Sequence, residues 1–161
     1  MKSLLGILAF AFLALAPLSL GACGTPEPPG YVALAEDNAN PSPTDPGATQ
    51  IFSVGNLLAV YNGGTAPSFT TEVTFRLTEV WTYHWNNGAG AAAGTIALQR
   101  GDGSIMGPWA TTLYNSVYWV ARPDVILPAG TYTVIDSDPS TLAQNADTGG
   151  VGMAWAYGYV Q

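Results

Sequence analysis

The stretch SFTTEVTFRLTEVWTYHW, residues 68–85, decides the fold class of this chain. Its apolar residues recur with a period of two, which predicts β-structure with one buried face and one wet face. The apolar phase holds the odd-numbered residues Phe69, Val73, Phe75, Leu77, Trp81, Tyr83 and Trp85. The even phase is polar, so we expect His84 to point outward beside Thr82. The stretch is long for one strand, and Glu79 breaks the apolar series, so we predict a bend near Thr78 and Glu79.

Shorter patterns of the same kind fill the rest of residues 50–161, between turns rich in Gly, Pro, Asn and Asp. We predict further strands at residues 51–54, 57–61, 95–100, 117–122, 131–135 and 152–160. A single short helix is expected in DPSTLAQNA, with Asp138 as its N-cap and Pro139 in its first turn. Seven or eight strands without a long helix predict an all-β, antiparallel β-sandwich of the jelly-roll type.

The N-terminus has the pattern of a targeting signal. A short basic start is followed by an apolar run over residues 4–20 and then by LGAC, which ends at Cys23. This pattern resembles the signal peptide and lipobox of a bacterial lipoprotein. The resemblance implies cleavage before Cys23, lipidation of its sulfur, and anchoring in the cell envelope at the outer membrane or the outer face of the cytoplasmic membrane. The alternative is a single membrane-spanning anchor, because the apolar run reaches the lower length limit for spanning.

A proline-rich tether is expected between the lipid and the β domain. Residues 23–49 hold half of the 12 prolines in the chain and only acidic charged residues. Such segments resist helix and sheet and stay extended. Alternatively, YVALA at residues 31–35 could form a first strand docked on the domain. The predicted organisation is therefore a signal peptide at 1–22, a lipid-anchored tether at 23–49 and a β-sandwich domain at 50–161.

The charge balance limits the kinds of partner. The chain has 11 acidic and 4 basic residues, for a net charge of -7, and no basic cluster. Nucleic acid is disfavoured as a partner, because phosphate contacts need Lys and Arg. The single cysteine is Cys23, so the mature domain is expected to have no disulfide bond.

Groups suited to catalysis are scarce in the domain. It has one histidine, His84, and no G-x-S-x-G nucleophile elbow. Glu72 and Glu79 would lie far apart on opposite faces of one continuous strand, so they cannot form the carboxylate pair of a glycosidase unless the chain folds back between them. Asp136 and Asp138 would fit the distance in an extended chain, but a turn is the simpler interpretation of these two residues. We therefore expect no enzyme. A structure that places His84 within hydrogen-bond reach of a serine and an acid would favour one.

A structural calcium ion is the one cofactor that the residue pattern suggests. Asp136, Asp138 and Asp147, with carbonyl groups of residues 145–150, could supply the oxygen ligands that calcium prefers. Their spacing does not match an EF-hand loop. The alternative is that Asp-Ser-Asp-Pro simply forms a turn, with Asp138 capping the next segment.

Aromatic residues are the best candidates for ligand binding. Sugar-binding sandwiches stack pyranose rings on exposed Trp or Tyr side chains, and amides bind the hydroxyl groups around them. We predict Trp109, in the loop GPW, and Tyr114 as the aromatic contacts, with His84, Asn86 and Asn87 beside them. The predicted function is a non-catalytic, lipid-anchored binding domain outside the cytoplasm for a glycan or a protein surface. The alternative is a structural lipoprotein that binds an envelope protein through a sheet edge.

Overall fold

The structure is a computed structural model, and it describes residues 41–161. The predicted signal peptide, the lipidation site Cys23, the first part of the tether and the segment YVALA lie outside the described residues.

The described residues form nine β-strands and no α-helix. The strands are β1 Thr49–Val54, β2 Ser68–Thr71, β3 Phe75–Tyr83, β4 Thr95–Arg100, β5 Ile105–Tyr114, β6 Tyr118–Ala121, β7 Val125–Leu127, β8 Gly130–Asp136 and β9 Ala154–Val160. Every strand pair is antiparallel. The structure thus confirms the all-β antiparallel class.

The strands follow the order β1-β9-β3-β6-β5-β4-β8-β2, and β7 pairs with β3 beside this path. Strand β5 belongs to two sheets. Its residues from Thr111 pair with β6 in what we call the first sheet, and its earlier residues pair with β4 in the second sheet. At the far edges, the rings of Phe52 in β1 and Phe69 in β2 stack with centroids 4.8 Å apart. The two sheets, which β5 joins into one nine-stranded sheet, therefore face each other and nearly close where their outermost strands touch.

The stretch that predicts the fold class is irregular near Thr78 and Glu79, as expected, but it also breaks earlier, which was not expected. The chain leaves the second sheet after Thr71 and enters the first at Phe75, so the break lies at residues 72–74. The irregularity near Thr78 is a β-bulge: Leu77 pairs with Gly158 and Glu79 with Tyr157, which leaves Thr78 without a partner in the register. An extra residue reverses which side chains face each side of the sheet. In residues 75–77 the odd-numbered side chains face the space between the sheets, whereas in residues 79–85 the even-numbered side chains do.

This exchange separates the apolar residues into two groups. The inner core lies between the sheets and includes Leu77, Val80, Ile96, Leu98, Trp119, Tyr132, Val134 and Ala156. The outer cluster lies on the opposite face of the first sheet and includes Trp81, Tyr83, Trp85, Tyr118, Val120, Trp155 and Tyr157. Full burial of one large apolar side chain, such as leucine or valine, stabilises the folded state by about 1.5–3 kcal/mol. Trp81 and Trp85, which the alternation places on the buried face, are buried, but in the outer cluster and not between the sheets.

Three predicted elements are wrong. Residues 57–61 form no strand; Tyr61 makes only an isolated bridge to Gln144. The predicted short helix is an extended segment after a turn at Asp138, where the N–H of Leu142 donates to the carbonyl of Pro139. The sequence GPW, predicted as a loop, lies within β5. No strand was predicted there because glycine and proline interrupt the alternating pattern. β7 was also missed.

The last part of the predicted tether lies on the domain instead of extending from it. Residues 41–48 cross the outer face of the first sheet. There the N–H and hydroxyl of Thr44 donate to the carboxylate of Glu79, and the hydroxyl of Tyr157 donates to the carbonyl of Pro41. These contacts help to cover the outer cluster.

Candidate functional site

His84 does not point outward as predicted: it is fully buried. The Thr78 bulge is the cause, because it turns Thr82 and His84 toward the space between the sheets. The imidazole stacks on the indole of Trp119, with ring centroids 3.9 Å apart. The only histidine of the chain is thus part of the interior and not of an exposed binding surface.

Polar groups from three segments surround the imidazole. Its Nε2 atom lies 3.1 Å from Asp136 Oδ2 and 3.0 Å from the Thr82 hydroxyl, which itself donates to Asp136 Oδ2 at 2.9 Å. Its Nδ1 atom lies 2.8 Å from the hydroxyl of Thr141. His84 therefore connects β3 of the first sheet to the end of β8 in the second and to the turn that follows.

Asp138 completes this network from the turn. Its carboxylate accepts hydrogen bonds from the hydroxyls of Ser140 and Thr141, and its N–H donates to Asp136 Oδ1 at 2.8 Å. The hydrogen bond from Ser140, followed by that from Thr141 and the charge of His84, lowers the pKa of Asp138. The alternative prediction for Asp136 and Asp138, a hydrogen-bonded turn, matches this arrangement.

The order of hydroxyl, imidazole and carboxylate resembles a nucleophile, base and acid. However, the hydroxyl belongs to a threonine, and Thr141 Oγ1 also lies 3.0 Å from the Asp138 carboxylate, a competing acceptor for its proton. The imidazole is enclosed, with Trp119 against its face. A substrate would have no access to His84, so this geometry suits a link between the sheets better than catalysis.

The predicted calcium ligands are not brought together. Asp136 and Asp138 are engaged in the His84 network, and Asp147 is exposed in the turn after Asn145. Within residues 41–161, no group of three or more His, Cys, Asp or Glu side chains could hold a metal ion. The described part of the chain therefore gives the calcium prediction no support.

Tyr114 is the exposed aromatic residue of the first sheet. Its side chain is 49% exposed and lies over the outer cluster, edge-on to Trp81 at 5.3 Å between ring centroids and 6.3 Å from Tyr118. Burial raises the pKa of Tyr83, which packs on Tyr118 in the outer cluster, to about 12. We call the exposed surface around Tyr114, with Asn115 and Ser116, the Tyr114 face.

Trp109 does not share the Tyr114 face. It lies five positions earlier on β5, where its partly buried ring packs against the inner core. Residues an odd number of positions apart on a strand point to opposite faces, and five positions span about 16 Å. The two predicted aromatic contacts therefore cannot bind one ligand together.

Asn86 and Asn87 lie beside the turn that follows Tyr114. They form a single 3₁₀ turn, Asn86–Gly88, with positive φ angles that asparagine tolerates. The Asn86 side chain donates to the carbonyl of Gly90 at 2.6 Å, and Gly90 packs so closely on Ser116 that an added Cβ would lie 2.0 Å from its carbonyl oxygen. The exposed Asn87 is thereby held near the Tyr114 face.

Sequence reasoning missed the charged pair on the same face. Arg122, the residue after β6, donates to the Thr112 hydroxyl at 3.0 Å and lies 3.6 Å from the buried carboxylate of Glu79. Glu79 also accepts from Trp81 Nε1 at 2.8 Å. The break in the apolar series at Glu79 was the one available signal, because a carboxylate within a buried pattern needs a partner.

Comparisons with protein-family models, curated proteins and solved structures find no match to this chain. Among residues 41–161, no helix is long and apolar enough to span a membrane.

Proposed function

We propose that this protein is a non-catalytic binding domain, lipid-anchored in the cell envelope, and that the Tyr114 face binds a glycan. The observation that carries the proposal is the half-exposed ring of Tyr114 on a buried aromatic base. The lipid anchor is proposed from the LGAC sequence at Cys23.

The surroundings of Tyr114 support stacking on a sugar. The apolar C–H face of a pyranose ring can cover an exposed phenol ring, which removes apolar surface from water. The contacts with Trp81 and Tyr118 fix the ring before a ligand arrives, so little side-chain entropy is lost on binding. Exposed Asn115, Ser116 and Asn87 supply neutral hydrogen-bonding groups nearby.

Tryptophan fluorescence of the purified protein, titrated with a panel of polysaccharides, tests this proposal. The ring of Trp81 touches Tyr114, so a ligand on the Tyr114 face should change its emission. We expect Tyr114→Ala to weaken binding by about tenfold or more, which is about 1.4 kcal/mol. Trp109→Ala serves as the control, because Trp109 lies on the opposite face of β5. Binding that depends on Trp109 and not on Tyr114 would refute the site.

The alternative function, a structural lipoprotein that binds a partner by strand addition, has one observation in its favour. Within the described residues, β1 pairs with a strand on one side only, at β9. An exposed strand edge can accept an additional strand. Hydrogen exchange tests this alternative: the amides of β1 should be protected in the isolated cell envelope and exchange faster in the purified protein. Equal exchange in both would refute it.

A further inference from the structure

We propose that the Tyr114 face selects an uncharged glycan chain and rejects chains that carry uronate or phosphate groups. This inference rests on the proposed function and adds the chemical class of its ligand.

Every cationic side chain of the described residues already faces a carboxylate. Residues 41–161 contain three arginines and no lysine. Arg76 forms a two-pronged pair with Asp124 at 2.6 and 2.9 Å, and Arg100 lies 3.7 Å from Asp102. Arg122 lies 3.6 Å from Glu79. An anionic sugar would therefore have to share its cationic partner with one of these carboxylates.

Arg122 is the cation nearest to the Tyr114 face, and its geometry disfavours an anion. Its Nε faces Glu79 and its Nη1 donates to Thr112. A carboxylate binds a guanidinium best through two adjacent N–H groups. Each two-pronged edge of the Arg122 guanidinium includes either Nε or Nη1, so an anion bound there would share the guanidinium with Glu79 or Thr112. The carboxylate of Glu79 is buried beside Arg122, so its negative charge is held in place and offsets the positive charge of Arg122.

The charge of the whole domain acts in the same direction. Three of the 11 acidic residues, Glu27, Glu36 and Asp37, and one of the 4 basic residues, Lys2, precede residue 41. The described domain thus carries eight carboxylates and three guanidinium groups. Its field repels a polyanion approaching the surface. An uncharged chain meets no such penalty, and the neutral groups of Asn115, Ser116 and Asn87 suit its hydroxyl groups.

Matched pairs of oligosaccharides test the inference. The purified protein is titrated with mannohexaose and mannuronate hexaose, and with galactohexaose and galacturonate hexaose, at low and high salt. We expect at least one neutral chain to bind and its uronate counterpart to bind at least about tenfold more weakly at low salt. The difference should shrink at high salt, because the Debye length falls from about 10 Å at 0.1 M to about 3 Å at 1 M.

A variant with an added cation sharpens the test. Thr112→Lys places a free ammonium on the Tyr114 face and should strengthen uronate binding by about tenfold, whereas Thr112→Gln should not. Absence of that gain counts against the inference. Uronate binding as tight as neutral binding, and abolished by Tyr114→Ala, would overturn the inference and leave the proposed function standing. If no chain binds, both are refuted.

Discussion

The Nε2 atom of His84 lies 3.1 Å from Oδ2 of Asp136, so a side chain of the first sheet meets the end of a strand of the second. Both side chains are almost completely removed from water. The pair is therefore a polar link through an otherwise apolar interior.

Breaking this link should destabilise the domain. Asp136→Ala leaves the buried His84 and Thr82 without their common acceptor, and an unsatisfied buried group costs about 1–3 kcal/mol. We expect the free energy of unfolding, measured by chemical denaturation, to fall by that amount. Asp147→Asn is the control at an exposed aspartate and should change it by less than about 0.5 kcal/mol. An Asp136→Ala variant as stable as the parent protein would refute the link.

Acid should weaken the same region through Asp138, whose folded-state pKa is lowered by Ser140, Thr141 and the charge of His84. A lowered pKa stabilises the folded state above the pKa of an unfolded aspartate, about 3.9, and this contribution is lost as the pH falls through the folded-state value. Asp138→Asn should therefore reduce the melting temperature at neutral pH and flatten its decline in acid. Parallel pH profiles for the variant and the parent protein would contradict this account.

Alkaline pH should destabilise the outer cluster. Burial raises the pKa of Tyr83 and of Tyr157 to about 12, and it also raises the pKa of Tyr118. An unfolded tyrosine ionises near pH 10, so the stability these residues contribute is fully present below about pH 10 and is lost as the pH rises toward 12. Phenolate absorbance should show a group of tyrosines that ionises only with unfolding. Titration of all tyrosines near pH 10 in the folded protein would contradict this.

The Thr78 bulge should be required for the fold. Deletion of Thr78 would reverse the phase of residues 79–85, which would turn Trp81 toward the inner core and His84 away from Asp136. We expect the deletion variant to lose cooperative thermal unfolding. Thr78→Ala keeps the bulge and removes only a hydrogen bond to the carbonyl of Tyr157, at a cost of about 1 kcal/mol. A deletion variant that unfolds as cooperatively as Thr78→Ala would show that the phase is set elsewhere.

Close packing of Gly90 on Ser116 gives a prediction with a matched control. Gly90 and Gly88 both have positive φ, at 71° and 85°, so alanine is strained at either position. An added Cβ meets nothing within 4 Å at Gly88 but lies 2.0 Å from the Ser116 carbonyl oxygen at Gly90. Gly88→Ala should cost about 1–2 kcal/mol of stability, and Gly90→Ala more, by chemical denaturation. If the two variants lost the same amount of stability, the Ser116 carbonyl would be able to move away from the added Cβ at little energetic cost.

The alternation in residues 68–85 was sufficient to predict the all-β class, because a period of two has no helical interpretation. It was not sufficient to orient His84. Glu79 marked the place of an irregularity, but the sequence did not show that it adds one residue, after which every side chain changes face. Partners distant in sequence, such as Asp136 and Thr141 for His84, depend on the sheet order and could not be paired in advance.

The same limit applies to the candidate ligand site. Tyr114, Asn86 and Asn87 were predicted from residue type, and the structure brings the asparagine turn to the hairpin that follows Tyr114 through Gly90 and Ser116. Trp109 was predicted to be in a loop because it follows Gly-Pro, but it lies on a strand that joins both sheets.

The most direct test of the central claim is a map of backbone amide chemical shifts, measured by NMR as the protein is titrated with the tightest-binding neutral oligosaccharide. We predict that the changes concentrate at residues 112–116 and 86–88 and that residues of β2 and β8 are unaffected. Changes centred on Trp109, on the edge of β1 or on any other surface would contradict binding at the Tyr114 face, and so would the absence of any change at saturating ligand.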